Sequence, residues 1–169
     1  RRPFTFFVGV PVMFERILDG AQKRGTNLGT LRYGVCGAAP MPPEVGARWE
    51  KATGGFFVEG YGMTETSPIV AGTPMGPSRR LGALGLPFPS TDVRVVDPED
   101  PDPAREVPDG EPGELLVRGP QVFAGYWEDD AATQAAMLPG GWLRTGDIVR
   151  RQDSFLWMAD RKRELILTG

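Results

Sequence analysis

Residues 1–70 alternate short apolar runs with segments of helical periodicity. The apolar runs are partly β-branched and nearly continuous, which is typical of strands buried on both faces. Pro11 begins one helical segment, with Val12, Met13 and Ile17 at helical spacing, and Gly54 ends another. The strand-like runs are residues 5–10, 31–37 and 56–59, and the second helix begins at residues 42–44. This alternation predicts a parallel α/β sheet with right-handed crossovers.

The pattern changes after residue 70. Residues 93–96 and 114–118 are short alternating strands separated by turn residues, and residues 129–137 have a helical pattern with an acidic first turn. The acidic, proline-rich run at 97–103 predicts a solvated loop. We therefore predict a small antiparallel β subdomain after the α/β lobe, with the junction near residues 70–82.

Two glycine turns follow neighbouring strands of the predicted sheet. The second strand ends at Gly37, Ala38 and Ala39, and the third ends at Gly60 and Tyr61. Parallel sheets bind ligands at the carboxyl ends of their strands, so both turns are expected at one ligand-binding edge. The alternative is that Gly37 only begins a tight turn.

Composition narrows the chemistry of this 169-residue, 18.4 kDa chain. A net charge of −3 gives no electrostatic case for binding nucleic acid. No apolar run approaches the roughly 20 residues of a transmembrane helix and no export signal is evident, so we expect a cytoplasmic protein. Peripheral membrane contact stays open. With no histidine, a Ser-His or Cys-His pair within this chain is excluded, and the single cysteine, Cys36, is expected in the core.

Residues 59–66 (EGYGMTET) contain the groups that a nucleotide and its metal require. Tyr61 offers a ring for a purine, Thr64 a hydroxyl for a phosphate, and Glu65 a carboxylate for magnesium. Gly60 and Gly62 allow close approach of backbone and ligand. By itself, the segment also fits an ordinary glycine turn with a solvated glutamate.

Two downstream motifs favour the nucleotide site over an ordinary glycine turn. They are residues 145–147 (TGD) and 160–164 (DRKRE). In this order, the three motifs resemble the adenylate-forming superfamily of acyl-CoA synthetases, peptide-synthetase adenylation domains and beetle luciferases. Residues 58–68 are most similar to long-chain fatty acyl-CoA ligases. Further matching runs are residues 9–11, 37–41, 85–87, 113–115, 119–122 and 125–127.

The resemblance implies a role for each matching residue. The backbone at Gly37, Ala38 and Ala39 would line the adenine, Tyr61 would stack on it, and Gly62 would adjoin the nucleotide. Thr64 and Glu65 would be catalytic, with Glu65 on the metal, while Asp147 would bind the ribose and Arg161 would reach the ribose and phosphates. Gly60 would border the acyl tunnel, and Arg163 would be the hinge residue. An exposed basic cluster is the alternative for Arg161. Arg163 departs from the Lys or Asp that is common at the hinge, and Ser154 departs from Gly in a turn.

The resemblance also predicts how the chain divides. Residues 1–75 would be the α/β part of the AMP-binding domain, residues 76–162 its β-rich subdomain, and residues 163–169 the hinge and the start of a C-terminal domain. The family's phosphate loop would lie before Arg1 and its catalytic lysine after Gly169. We therefore expect the chain to be the latter part of the large N-terminal domain.

The implied activity is that of a fatty acyl-CoA synthetase. ATP and a fatty acid would form acyl-AMP with magnesium present, and coenzyme A would then form the thioester, so the partners are small molecules. Three alternatives stay open: an aryl-CoA ligase, an amino-acid adenylation domain, and an inert nucleotide-binding fragment as the isolated chain. Gly60 favours a long acyl chain, because the missing side chain leaves space beside the nucleotide.

Overall fold

The computed structural model describes residues 3–37, 39 and 41–161, with only the backbone of residues 160 and 161. The described chain forms two compact units. Unit 1 comprises the chain up to Tyr61 together with Gly72–Gly85, and unit 2 comprises Gly62–Ala71 and the chain from Leu86 onward. The predicted domain borders at residues 75 and 162 remain predictions about the whole protein.

Unit 1 confirms the predicted parallel α/β arrangement. Its elements are β1 (Phe6–Gly9), α1 (Pro11–Arg24), β2 (Tyr33–Cys36), α2 (Pro43–Thr53) and β3 (Phe56–Tyr61). Strand β2 pairs in parallel with β1 on one side and with β3 on the other, with Tyr33 opposite Phe6 and Phe56. Each helix connects two parallel neighbours, as parallel pairing requires.

The helices of unit 1 begin and end where the sequence predicts. Pro11 occupies the first turn of α1, and Gly54 ends α2 in the left-handed region at φ 68°. The buried face of α1 differs from the pattern read in the sequence. Phe14 and Leu18 are buried, whereas Val12 and Met13 are 47% and 44% exposed. The spacing identified the helix and Ile17 packs against the core, but Val12 and Met13 lie outside the buried face.

The core of unit 1 is aromatic. The ring of Phe14 packs edge-to-face on Trp49 and Phe57, with centroids 4.8 and 5.3 Å apart. Cys36 joins this cluster and is buried, as predicted. Burial, together with the negative charge of Glu59, raises the pKa of the Cys36 thiol to about 11, so the thiol stays protonated at neutral pH.

Unit 2 confirms the predicted antiparallel sheet. The elements that follow β3 are a 3-10 helix (Thr64–Thr66), β4 (Ala71–Gly72), β5 (Leu86–Pro87), β6 (Asp92–Val96), β7 (Pro112–Arg118), α3 (Asp130–Ala136), β8 (Met137–Leu138), β9 (Trp142–Gln152) and β10 (Phe155–Arg161). Among these, β4 and β5 lie at the borders of the units in the sequence. The strands of the antiparallel sheet run in the order β10-β9-β7-β6, and β8 pairs with β9.

Strand β7 is the centre of unit 2, and residues 113–117 are all buried. The predicted loop at 97–103 is a loop, in which Asp100 and Asp102 pair with Arg105. The predicted helix begins at Asp130, because the Asp129 carboxylate accepts the N–H of Ala132 as an N-cap.

Candidate functional site

The predicted ligand-binding edge in unit 1 is formed by the ends of β2 and β3. A β-carbon added to Gly37 would lie 3.7 Å from the Gly60 carbonyl oxygen, and one added to Gly60 would lie 4.0 Å from that of Cys36. The two glycines therefore lie side by side, as the parallel topology predicts. The predicted turn at Gly60 and Tyr61 is wrong, however, because β3 continues through both residues.

The candidate adenine contacts of unit 1 differ in accessibility. Ala39 is exposed, whereas Tyr61 is buried with 8% of its surface exposed. Ala38 lies outside the described residues. Stacking on a purine requires an accessible ring face, so the role of Tyr61 stays a prediction.

Glu59 connects three segments of unit 1. Its Oε2 accepts the N–H of Gly82 at 2.7 Å, and its carboxylate also accepts the backbone N–H of Met41. Partial burial raises the pKa of Glu59, and the two N–H donors oppose that rise. From the sequence, Glu59 is expected only as a strand residue, but its carboxylate holds the chain that follows the Gly37 turn.

Unit 2 begins with the turn that presents Thr64 and Glu65. A side chain at Gly62 would collide with the carbonyl oxygen of Pro68, so the backbone itself requires glycine here. The buried Thr66 hydroxyl donates to the Met63 carbonyl at 2.9 Å and accepts the Met63 N–H at 3.1 Å. These bonds close the 3-10 turn and leave Thr64 exposed.

A cavity of about 760 Å³ in unit 2 brings two of the sequence motifs together. Glu65 and Asp147, far apart in the chain, both line it. The complete lining is Gly62, Met63, Glu65, Glu114, Tyr126, Ala132, Ala135, Ala136, Leu143, Arg144, Thr145, Gly146 and Asp147. Three carboxylates, one of them paired with Arg144, and several small residues therefore border a space large enough for a small ligand.

Asp147 is carried by a bulge within β9. Between β7 and β9, Leu116 pairs with Arg144 and Glu114 pairs with Ile148. Three residues of β9, from Thr145 to Asp147, therefore lie opposite a single residue of β7, Leu115. Gly146 has a φ of 71°, which explains why glycine is needed inside this strand.

A partly buried ion pair holds the bulge. Glu114 is 1% exposed and binds Arg144 through both oxygens, at 2.6 Å to Nη2 and 3.1 Å to Nε. Its Oε1 also accepts the Gly146 N–H at 3.3 Å. The hydrogen bond to Glu114 raises the pKa of Arg144.

Two hydrogen bonds of Thr145 also stabilise the bulge. Its hydroxyl donates to the Leu115 carbonyl at 2.8 Å and accepts the Asp147 N–H at 3.1 Å. The roles of Glu114 and Arg144 were not predicted from the sequence. A glutamate inside an otherwise apolar strand was the available signal, because a buried carboxylate needs a partner.

Of the third motif, the structure describes only the backbone of Asp160 and Arg161. Arg161 pairs with Asp147 in the antiparallel register of β9 and β10, which brings the two motifs to one end of this hairpin. The predicted hinge residue, Arg163, lies outside the described residues. Trp142 packs with Val96 and Leu116 in a core cluster of unit 2.

The chain belongs to the AMP-binding enzyme family, whose model matches residues 1–127. Over the whole chain it is 45% identical to a long-chain-fatty-acid–CoA ligase of Yersinia pestis, of which it spans 29%. It is 36% identical to a feruloyl-CoA synthase of an Amycolatopsis species, over 98% of the chain and 33% of that protein. The solved structure of ATP-bound MatB from Rhodopseudomonas palustris superposes with a TM-score of 0.81 and 32% identity, over 93% of this chain and 31% of MatB. Together with the two sheets, this agrees with the resemblance inferred from the motifs.

One finding bears on membrane contact. Within the part of the chain that the structure describes, no helix is both long and apolar enough to cross a bilayer.

Proposed function

We propose that the complete protein is an AMP-forming fatty acyl-CoA ligase, and that this chain supplies residues for binding the nucleotide. The observation that carries the proposal is the cavity that Glu65 and Asp147 share in unit 2. Two motifs that are distant in sequence meet there, in a chain that is 45% identical to a long-chain-fatty-acid–CoA ligase.

The proposed reaction has two steps. A fatty-acid carboxylate oxygen attacks the α-phosphorus of ATP, and the bond from that phosphorus to the pyrophosphate oxygen breaks. The sulfur of coenzyme A then attacks the acyl carbonyl carbon of acyl-AMP, the thiol proton is lost, and AMP leaves with the electrons of the C–O bond. Because a carboxylate is already a nucleophile, the first step requires positioning and charge stabilisation but no general base.

The residues of unit 2 have roles that suit these steps. The exposed Thr64 hydroxyl would donate to a phosphate oxygen, and the Asp147 carboxylate would accept the ribose hydroxyls. The Arg161 guanidinium would hold paired oxygens of ribose or phosphate. The glycine at position 62 keeps the turn that carries Thr64 compact.

The residues of unit 1 would contact the base. The backbone of Gly37, Ala38 and Ala39 would line the adenine, and Tyr61 would present what remains accessible of its ring. Support comes from the uncrowded backbone at Gly37 and Gly60, where an added β-carbon meets nothing closer than 3.7 Å. Arg163 would serve as the hinge for a domain rotation between the two steps.

Magnesium fits the donor set through Glu65. Among the described residues, no cluster of three or more acidic or cysteine side chains could hold a metal alone. Magnesium bound with ATP needs only one or two carboxylates, since phosphates and water complete its shell. When bound, it would neutralise charge on the phosphates. Glu65 lies on the cavity wall, where it could supply that carboxylate.

The test of the activity is acid-dependent exchange of labelled pyrophosphate into ATP by the complete gene product. We expect exchange with long-chain fatty acids, and a loss of about 100-fold for both Glu65→Gln and Asp147→Asn, as is typical when one electrostatic stabiliser is removed. Glu111→Gln, a change of an exposed carboxylate outside the cavity, is the matched control. Absence of exchange with every acid would contradict the proposal.

Aryl-CoA formation is the second candidate, because the feruloyl-CoA synthase is 36% identical to this chain. Running the exchange assay over fatty, aryl and amino acids decides between them. A preference for aryl acids would replace the fatty-acid assignment and leave the adenylation chemistry intact.

Gly60 tests the long-chain assignment directly. Gly60→Leu would project a side chain from the end of β3, and each methylene that it keeps from burial would cost about 0.8 kcal/mol of binding. We expect the preference to shift toward shorter acids with little change in ATP affinity. A uniform loss of rate over all chain lengths would show that Gly60 serves the backbone only.

ATP and coenzyme A are both available in the cytoplasm, so the proposed reaction agrees with a cytoplasmic location. Fractionation of cells that express the complete gene product tests this, and activity found only in a membrane fraction would contradict it.

A further inference from the structure

The Glu65 side chain has a defined partner within unit 2. The Tyr126 hydroxyl donates to Glu65 Oε1 at 2.8 Å, and both residues line the same cavity. The backbone of Glu65 is held from the same segment, because the Phe123 N–H donates to its carbonyl oxygen at 2.8 Å. The carboxylate is therefore fixed through one oxygen.

Tyr126 is itself held from two sides. Its backbone N–H donates to Thr133 Oγ1 at 2.9 Å, and the Thr133 hydroxyl donates to the Asp129 carbonyl at the start of α3. The Tyr126 ring packs edge-to-face on Phe123, with centroids 4.9 Å apart. The phenol oxygen thus has a definite position relative to α3.

We propose that Tyr126 is a positioning residue: it occupies Oε1 of Glu65 and directs Oε2 toward the divalent cation that accompanies the nucleotide. The inference rests on the proposed function, in which Glu65 is the metal carboxylate. A carboxylate with one oxygen already bonded offers a single oriented oxygen, which suits the strict octahedral geometry of magnesium. Removing a residue that orients a metal ligand commonly lowers the affinity of the site for the metal.

The experiment measures cation binding and requires no turnover. Mn²⁺ is titrated into the complete gene product with a non-hydrolysable ATP analogue, and free Mn²⁺ is followed by electron paramagnetic resonance. Loss of an orienting partner typically weakens metal affinity about 10- to 100-fold. Tyr126 is 39% exposed, so water can replace part of the bond and we expect about tenfold weaker binding for Tyr126→Phe.

The matched control is Tyr33→Phe, which removes the same hydroxyl from a tyrosine of β2 in unit 1. It should leave Mn²⁺ affinity unchanged. Thermal unfolding of both variants checks that the fold is retained, which we expect because phenylalanine preserves each ring contact.

Glu65→Gln separates failure of the inference from failure of the proposed function. If Glu65→Gln leaves Mn²⁺ affinity unchanged, Glu65 is not the metal carboxylate and the proposed role itself is wrong. If Glu65→Gln weakens binding while Tyr126→Phe does not, or if the two changes are additive in the double variant, the positioning role is overturned. Support requires that Tyr126→Phe has little further effect in the Glu65→Gln background.

Discussion

The two compact units hold their candidate binding residues by different means. In unit 1, Gly37 and Gly60 lie at the ends of regular parallel strands packed over an aromatic cluster that includes Phe14. In unit 2, Asp147 lies on a bulge that depends on the pair between the buried Glu114 and the partly buried Arg144. Regular strands satisfy their backbone groups through the ladder, whereas a bulge leaves groups that need side-chain partners.

Because of this difference, we expect mutations in unit 1 to affect mainly stability, and mutations in unit 2 to affect both stability and the geometry of the site. Apolar truncation in unit 1 should chiefly lower the free energy of unfolding, because the strand ends remain defined as long as the sheet persists. Polar substitution beneath the bulge of unit 2 should change both the stability and the position of Asp147, since the same side chains serve both.

The largest effect is expected for Phe14→Ala in unit 1. Phe14 is fully buried against Trp49 and Phe57, and removing such a ring leaves a cavity that costs about 4 kcal/mol of unfolding free energy. Phe6→Ala, at a half-exposed position of β1, is the matched control and should cost less than about 1 kcal/mol. Denaturant unfolding measures both, and equal losses would contradict an aromatic core as the main support of unit 1.

Glu114→Gln should come next, at about 3 kcal/mol, because it leaves the Arg144 guanidinium without its ionic partner. It should also weaken nucleotide binding by the complete gene product, measured by calorimetry, because the Gly146 N–H loses a charged acceptor. Asp92→Asn disrupts the exposed pair with Arg118 and should cost at most about 1 kcal/mol with normal binding. If the two variants behave alike, the ion pair does not support the bulge.

A smaller effect, of opposite sign, is expected at the turn between β9 and β10. Asp153 and Ser154 both have positive φ, at 49° and 68°, a conformation that glycine adopts without strain. Ser154→Gly should therefore stabilise the protein by about 0.5–1 kcal/mol, seen as a higher unfolding midpoint. Ser78→Gly, at an exposed turn outside the positive-φ positions, should be neutral or slightly destabilising. Lower stability of Ser154→Gly would contradict strain at this turn.

The smallest effect is expected in the pH dependence of stability. It concerns Glu59, a carboxylate that organises the edge of unit 1. The pKa of Glu59 is raised above its ordinary value of 4.5, so the folded state holds the proton more tightly than the unfolded state does. Glu59 therefore contributes stability that is fully present below pH 4.5 and is lost as pH rises through the higher folded pKa. Glu59→Gln should flatten this part of the stability profile, whereas Glu44→Gln, at an exposed position of α2, should not. Superimposable profiles for Glu59→Gln and the unmodified protein would refute the assignment.

Several features followed from the sequence because their causes are local. The three parallel strands are apolar runs, Pro11 and Gly54 mark helix ends by their own backbone preferences, and the first turn of α3 is acidic. The juxtaposition of Gly37 and Gly60 also followed, since neighbouring parallel strands end at the same edge. The order of the motifs was sufficient to identify the family.

The tertiary structure alone decided which face of α1 is buried, where β9 bulges, and which polar groups meet. Glu114 binds Arg144 across 30 residues of sequence, and Tyr126 binds Glu65 across 61. Periodicity reports only on neighbours within one element, whereas these contacts depend on register and on where a bulge lies. The sequence determined the residues with the required chemistry, and their partners were determined by the pairing of distant strands.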